Sequence, residues 1–323
     1  MSPTHPTILT APPTPSNETP STYTFPSDRL LRSLENPSLI PLILVACGSF
    51  SPITHMHLRM FEMAVDHVRQ NLSDTYEVVG GYISPVSDRY NKAGLASATH
   101  RIRMCELACE QTSDWLMVDP WEAEQPDYQP TAVVLDHVAD EANKILEPLM
   151  GKKVQVSLLC GADLLMSMTP GVWSVHDLDH ILLTYGLFVI ERNGTSVSEA
   201  IAQLKELNPE WTSKVQIIRQ LIPNDISSTS IRQFLRLGLS VHYLLPWCVI
   251  QYIREKGLYM DEGKEKRPSS MPPIGRRGRA LQEQQQDRQH VQEKDGPQSL
   301  ETVDEERHPR TLLRPEDATQ SSN

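Results

Sequence analysis

The chain has 323 residues, enough for one large domain or two ordinary ones, and carries 30 basic against 41 acidic side chains for a formal net charge of −11. Fifteen of its 25 prolines fall in residues 1–41 and 262–323, whereas 17 of its 19 aromatic residues lie in 42–261 and the last 62 residues hold none. Segments so poor in aromatic residues cannot bury enough apolar surface to offset ordering entropy, so the expectation is one folded catalytic domain over 41–261 between disordered extensions at 1–40 and 262–323.

Within 41–261, Pro41 to Cys47 is a continuous apolar run ended by Gly48, which reads as a strand buried on both faces. Leu58, Phe61, Val65 and Val68 then recur at helical spacing and predict a helix over about 55–70. The alternation continues with strands over 76–83, 114–118, 154–160, 187–190 and 215–221. The helices between and after them fall over 98–110, 131–149, 196–207, 228–237 and 246–256. Strands alternating with helices predict an α/β fold, a Rossmann-like, doubly wound parallel sheet, whose ligands sit beyond the carboxyl ends of the strands. Strand-to-helix loops are therefore where chemistry is sought.

The folded unit holds 17 basic and 26 acidic residues, which argues against bulk nucleic-acid or anionic-membrane binding. Its apolar run over 42–47 is far short of the ~20 residues of a membrane span. Five cysteines without a CxxC pair, and no signal-peptide pattern, point to a reducing compartment. Cys105 and Cys109 share a helical face without a zinc-spaced partner and read as packing.

The first loop, Gly48-Ser-Phe-Ser-Pro-Ile-Thr-His-Met-His57, runs straight into a helix start, where free N–H groups favour anions. It is neither GxGxxG nor a P-loop, which weakens dehydrogenase and P-loop readings. Thr54 and His57 fall on the first helical turn, and an imidazole there can donate to phosphate oxygens. His55 reads as a cap or surface residue. Two more segments stand out: Leu159-Cys-Gly161-Ala-Asp163-Leu-Leu165 after a central strand, and Asn224-Asp-Ile-Ser-Ser-Thr229-Ser-Ile-Arg232 opening a late helix. Locally, Ser227 to Thr229 reads equally well as a plain N-cap or as a phosphate site.

These three segments, in this order, resemble the GSFNPITxMHL, LCGADLL and NDISSTxIR signatures of eukaryotic nicotinamide/nicotinic acid mononucleotide adenylyltransferases, members of the HxGH nucleotidylyltransferase superfamily. The resemblance covers about 41–260. It implies attack of a mononucleotide 5′-phosphate on the α-phosphorus of ATP, giving NAD or its deamido form and pyrophosphate. The nucleophile is already an anion, so the protein's task is to position two anions in line and neutralise charge. Catalytic roles are implied for His57, Lys92 and Arg232, and ATP contacts for Gly48, Ser49, Phe50, Thr54, Gly161, Asp163, Arg192, Asn224, Ser228 and Thr229. Lys92 lies in Ser84-Pro-Val-Ser-Asp-Arg-Tyr90-Asn-Lys92-Ala-Gly94, similar to the family's SPVGDxYxKxGL, with Ser87 where glycine is usual.

Ser49, Phe50, Tyr90, Lys92, Trp121, Val172 and Trp173 are the implied mononucleotide contacts. Trp173 is the stronger stacking candidate and Trp121 the second wall; on local grounds both read equally as core. The resemblance further implies phosphate-bound Mg²⁺, with no protein metal site, and a homo-oligomer. Two other readings stay open: transfer to a different phosphorylated acceptor such as phosphopantetheine, and a chaperone-like protein of the NAD pathway with secondary catalysis. Basic patches at Lys264 to Arg267 and Arg276 to Arg279, and the lack of Arg or Lys in 1–28, lead to an expectation of nucleus and/or cytoplasm.

Overall fold

Strand β1 (Ile40–Gly48) shows why the first apolar run is unbroken. Ile43 and Val45 point into one core, and Leu42, Leu44 and Ala46 into the other, so both faces of the strand are buried. The computed structural model describes residues 23–168, 172–191 and 197–260. After β1 come α1 (His55–Asn71), β2 (Tyr76–Pro85), α2 (Ala98–Thr112), β3 (Leu116–Val118), α3 (Trp121–Glu124), α4 (Thr131–Met150) and β4 (Gln155–Gly161). The chain continues through α5 (Ala162–Ser167), α6 (Val175–His180), β5 (Leu187–Glu191), α7 (Ser198–Leu207), β6 (Val215–Arg219), α8 (Ser228–Arg236) and α9 (Trp247–Lys256). Every element expected from periodicity is present, with ends within a few residues. The short helices α3, α5 and α6 carried no signal, because one or two turns are too short to show a period.

The six strands are parallel, in the order β3-β2-β1-β4-β5-β6. This is the doubly wound Rossmann-like arrangement, with its switch point between β1 and β4. One core holds side chains of α4, α6 and α7, the other those of α1, α2, α8 and α9. The two loops that leave the switch point, after β1 and after β4, open side by side on one edge. No helix among the described residues is long and apolar enough to cross a membrane. All five cysteines are free.

The ordered chain begins before β1, which corrects the disordered extension assigned to 1–40. Phe25, Leu30 and Leu39 are buried. The Arg29 guanidinium donates to the carbonyls of Cys109, Ser113 and Leu116 at 2.8–3.2 Å, joining the end of α2 to the start of β3. Leu30 sits so close to β2 that a Cβ on Gly80 would lie 2.5 Å from its Cδ2, and one on Gly81 would lie 2.6 Å from Leu116. Composition missed this arm because a few anchors suffice to hold it. Residues 1–22 of the expected N-terminal extension, residue 261 and the expected tail at 262–323 lie outside the described residues.

Candidate active site

At the switch point lies a cleft of about 710 Å³. Gly48, Ser49, Phe50 and His57 line it from the first loop, Tyr90 and Lys92 from the loop after β2, Gly161 and Asp163 from the end of β4, and Val172 and Trp173 from beyond α5. Four segments of the chain thus meet over one space. The Phe50 ring folds back on Gly48, where a Cβ would lie 3.3 Å from the ring edge, close enough that the ring would have to give by a few tenths of an ångström.

Thr54 and His57 form a reciprocal cap on α1. The Thr54 backbone N–H donates to His57 Nδ1 at 3.0 Å. An N–H can only donate, so Nδ1 is an acceptor and the ring proton resides on Nε2. His57 is thereby fixed as a neutral imidazole with one donor, and Phe50 packs edge-on against it at 5.2 Å. Thr54 itself is fully buried and spends its hydroxyl in the cap. It orients His57 and is not among the residues that line the cleft.

Arg101, absent from the sequence reading, holds the two phosphate-side loops together. It is fully buried in α2. Its Nε donates to the carbonyl of Ala96 at 2.9 Å, Nη1 to that of Ser49 at 3.2 Å, and Nη2 to that of Val86 at 2.6 Å and to Asp88 at 3.0 Å. One planar guanidinium therefore ties the loop after β1 to the loop bearing Lys92. A signal existed: Ala98, Arg101, Met104, Cys105 and Ala108 form the buried stripe of α2, and a charge on such a stripe needs partners. Ser87, where glycine is usual, has φ −60° and caps the turn Asp88–Tyr90, so this loop does not require glycine there.

Helix α8 closes on the same loop from behind. The Ser228 hydroxyl donates to the Pro52 carbonyl at 2.8 Å, and Arg232 Nη1 to the Ser51 carbonyl at 2.9 Å. Thr229 Oγ1 accepts from Arg232 Nη2 at 3.3 Å. Ser51 is further held by Tyr259 and by the Ala96 N–H. Arg232 is only 7% exposed, and burial lowers its pKa, an effect strengthened by Arg236. Ser228, Thr229 and Arg232 therefore brace the loop and do not line the cleft. Asn224 caps its own turn by accepting from the Ile226 N–H, and faces a neighbouring groove between α1 and β6. Arg192 lies outside the described residues.

The aromatic walls also differ from expectation. Trp173 lines the cleft and donates its Nε1–H to Ser167 Oγ at 3.3 Å. Trp121 does not line it: its ring lies flat on His137, 4.1 Å between centroids at 7°. Asp119, fully buried, accepts from the Trp121 N–H and from the Tyr23 hydroxyl, which also meets His137 Nε2 at 2.8 Å. The aromatic residue facing Trp173's cleft from this side is Tyr128, stacked with Tyr90 at 6.1 Å. Tyr128 sits between Pro126 and Pro130 in the loop from α3 to α4, within the stretch after β3 that also holds Trp121, so the criterion that selected Trp121 applied to it as well. Glu122, also missed, reaches the cleft as a buried carboxylate that accepts from the Ser84 hydroxyl at 2.8 Å. Burial pushes its pKa up to about 7.

A glycine-containing loop at the switch point, a helix-start imidazole, a lysine on the facing loop and an aromatic-sided recess thus line one cleft. A family model described as cytidylyltransferase-like matches residues 45–234. In Saccharomyces cerevisiae, nicotinamide/nicotinic acid mononucleotide adenylyltransferase 2 is 52% identical over 248 residues, 75% of this chain and 62% of that protein. The Arabidopsis thaliana nicotinamide/nicotinic acid mononucleotide adenylyltransferase is 47% identical over 223 residues, 68% of this chain and 90% of the plant protein. A structure of Plasmodium falciparum nicotinic acid mononucleotide adenylyltransferase complexed with APC aligns over 68% of this chain and 96% of its own, at 21% identity and a TM-score of 0.44. The chain belongs to the nicotinamide/nicotinic acid mononucleotide adenylyltransferase family, within the cytidylyltransferase-like fold class. It spans about three fifths of the length of the two yeast relatives.

Proposed function

We propose that this protein transfers the adenylyl group of ATP to nicotinamide mononucleotide and to nicotinic acid mononucleotide, releasing pyrophosphate and forming NAD or deamido-NAD. The observation that carries this reading is the convergence of the His57-bearing loop, Lys92 and the aromatic recess on one cleft. In the mechanism, His57 Nε2–H and the loop amides of Ser49 and Phe50 donate to the phosphates of ATP. Lys92 neutralises the mononucleotide phosphate, whose oxygen attacks the α-phosphorus as pyrophosphate leaves. The pyridine ring packs between Trp173 and Tyr128, and Asp163 accepts from a ribose hydroxyl. Arg101, Ser228 and Arg232 hold the loop rigid, which supports in-line geometry.

Mg²⁺ enters this reading with the phosphates of ATP. Its ligands would be phosphate oxygens and water, the oxygen donors this small, hard cation prefers. A homo-oligomer is part of the reading too. It is supported by the edge position of β6 and the exposed Leu221 and Ile222 beyond it, and light scattering tests it. Residence in nucleus or cytoplasm rests on the basic patches after residue 262, and imaging of a fluorescent fusion with those patches neutralised tests that. The activity is tested by incubating the purified chain with ATP, Mg²⁺ and each mononucleotide. NAD or deamido-NAD and pyrophosphate should appear, and a folded sample that yields neither overturns the proposal.

A further inference from the structure

The relatives' names pair an amide substrate with an acid one, and these differ only in the group on the pyridine ring. One pocket that takes both must offer an acceptor to the amide N–H and a donor to the carboxylate. Glu122 is the side chain suited to this. It is 2% exposed yet lines the cleft. One carboxyl oxygen accepts from Ser84, and among the described residues the other accepts no hydrogen bond. Its surroundings place it at the recess: its charge acts on Tyr128, one proposed wall, and on Cys47 at the end of β1. The other carboxylates on the cleft, Asp163 and Asp177, lie outside the buried set.

We propose that Glu122 reads the pyridine substituent: ionised, it accepts a hydrogen bond from the carboxamide N–H; protonated, it donates one to the carboxylate. This rests on the adenylyl-transfer reading above. The protonation balance is set by groups on every neighbouring element. Burial raises the carboxyl most. The Ser84 hydroxyl on β2 and the Arg101 cation on α2 lower it, and Asp119 in the loop after β3 raises it. Cys47 on β1 stays a neutral thiol because burial pushes its pKa well up, and the raised Tyr128 hydroxyl likewise stays neutral. Both protonation states are therefore populated near neutrality, as a residue that serves two substrates requires.

The test is the ratio of kcat/KM for the acid mononucleotide to that for the amide, followed from pH 6 to 8. Titration of His57, of the substrate phosphates or of any group common to both reactions cancels in this ratio. With a midpoint near 7, the protonated fraction falls from about 0.9 to about 0.1 across this range while the ionised fraction rises by as much, so the ratio should drop on the order of a hundred-fold. Glu122→Gln, which both donates and accepts at every pH, should hold the ratio constant. Ser84→Ala removes a bond that favours the ionised form and should move the midpoint upward. A wild-type ratio constant within two-fold overturns the proposal whether or not the variants fold. So does a Glu122→Gln slope equal to wild type, or equal losses for both substrates, which mark a merely structural carboxyl. Product from either mononucleotide with a flat ratio leaves adenylyl transfer standing and removes only the role of Glu122. No product from either removes both.

Discussion

Replacing Arg101 separates bracing from chemistry, because the residue touches neither the recess nor its proposed ligands. In Arg101→Met the carbonyls of Ala96, Ser49 and Val86 lose a charged donor, while the half-exposed Asp88 regains water. Each buried acceptor left unsatisfied costs about 1–3 kcal/mol, and methionine recovers part of that through packing, so a loss of about 3–5 kcal/mol is expected. Against the ~5–15 kcal/mol stability of a typical domain this leaves a folded but weakened protein. Released from its tie to the Lys92 loop, the Ser49 segment should drift on the 1 Å scale, which costs on the order of 10²-fold in rate. Arg101→Lys keeps the charge but cannot span three divergent carbonyls with one ammonium, so it should recover less than half of either loss. Urea denaturation followed by circular dichroism gives the stability, and steady-state kinetics at a temperature where each variant is folded gives kcat/KM. A lysine variant within 1 kcal/mol of wild type would refute the fork geometry. A destabilised methionine variant with unchanged kcat/KM would refute the positioning role.

His57→Ala should lower kcat by about 10²–10³-fold while leaving stability within about 1 kcal/mol, read from steady-state rates beside a thermal melt. Tyr128→Ala should raise KM for the mononucleotide several-fold more than KM for ATP, whereas Trp121→Ala should chiefly lower stability, since its ring is committed to His137; the reverse pattern would restore Trp121 as the wall. Tyr23→Phe removes the hydroxyl that serves Asp119 and His137, leaving a buried carboxylate short of donors at a cost of about 1–3 kcal/mol, visible as a melting point lower by several degrees. Glu122 also gives a pH signature in stability. Its folded-state pKa, raised from 4.5 to about 7, makes the native state bind more protons than the unfolded one, so its contribution declines as pH rises from about 4.5 to 7 and then levels, a span of about 3 kcal/mol. The stability difference between Glu122→Gln and wild type should grow across that window in favour of glutamine, and a constant difference would contradict the burial of an ionisable carboxyl.

The sequence alone determined the alternation of strands and helices, the loops that bear the chemistry and the family that the three ordered motifs resemble. Periodicity and motif are local properties of the chain, and local properties survive without knowing what folds against them. Side-chain partnership is not local. Thr54, Ser228 and Arg232 carry the residue types of phosphate ligands, but what a hydroxyl or guanidinium meets depends on what stands opposite: here His57 for Thr54, the Pro52 carbonyl for Ser228 and the Ser51 carbonyl for Arg232. Trp121 and Tyr128 are equivalent as sequence, and only the stacking of His137 on one of them decides which wall is left for the cleft. The arm from Tyr23 to Leu39 reads as a tail by composition. It is held because Leu30 fills the space over Gly80 and Arg29 finds three carbonyls between the end of α2 and the start of β3, contacts that exist only once the sheet has brought those segments together.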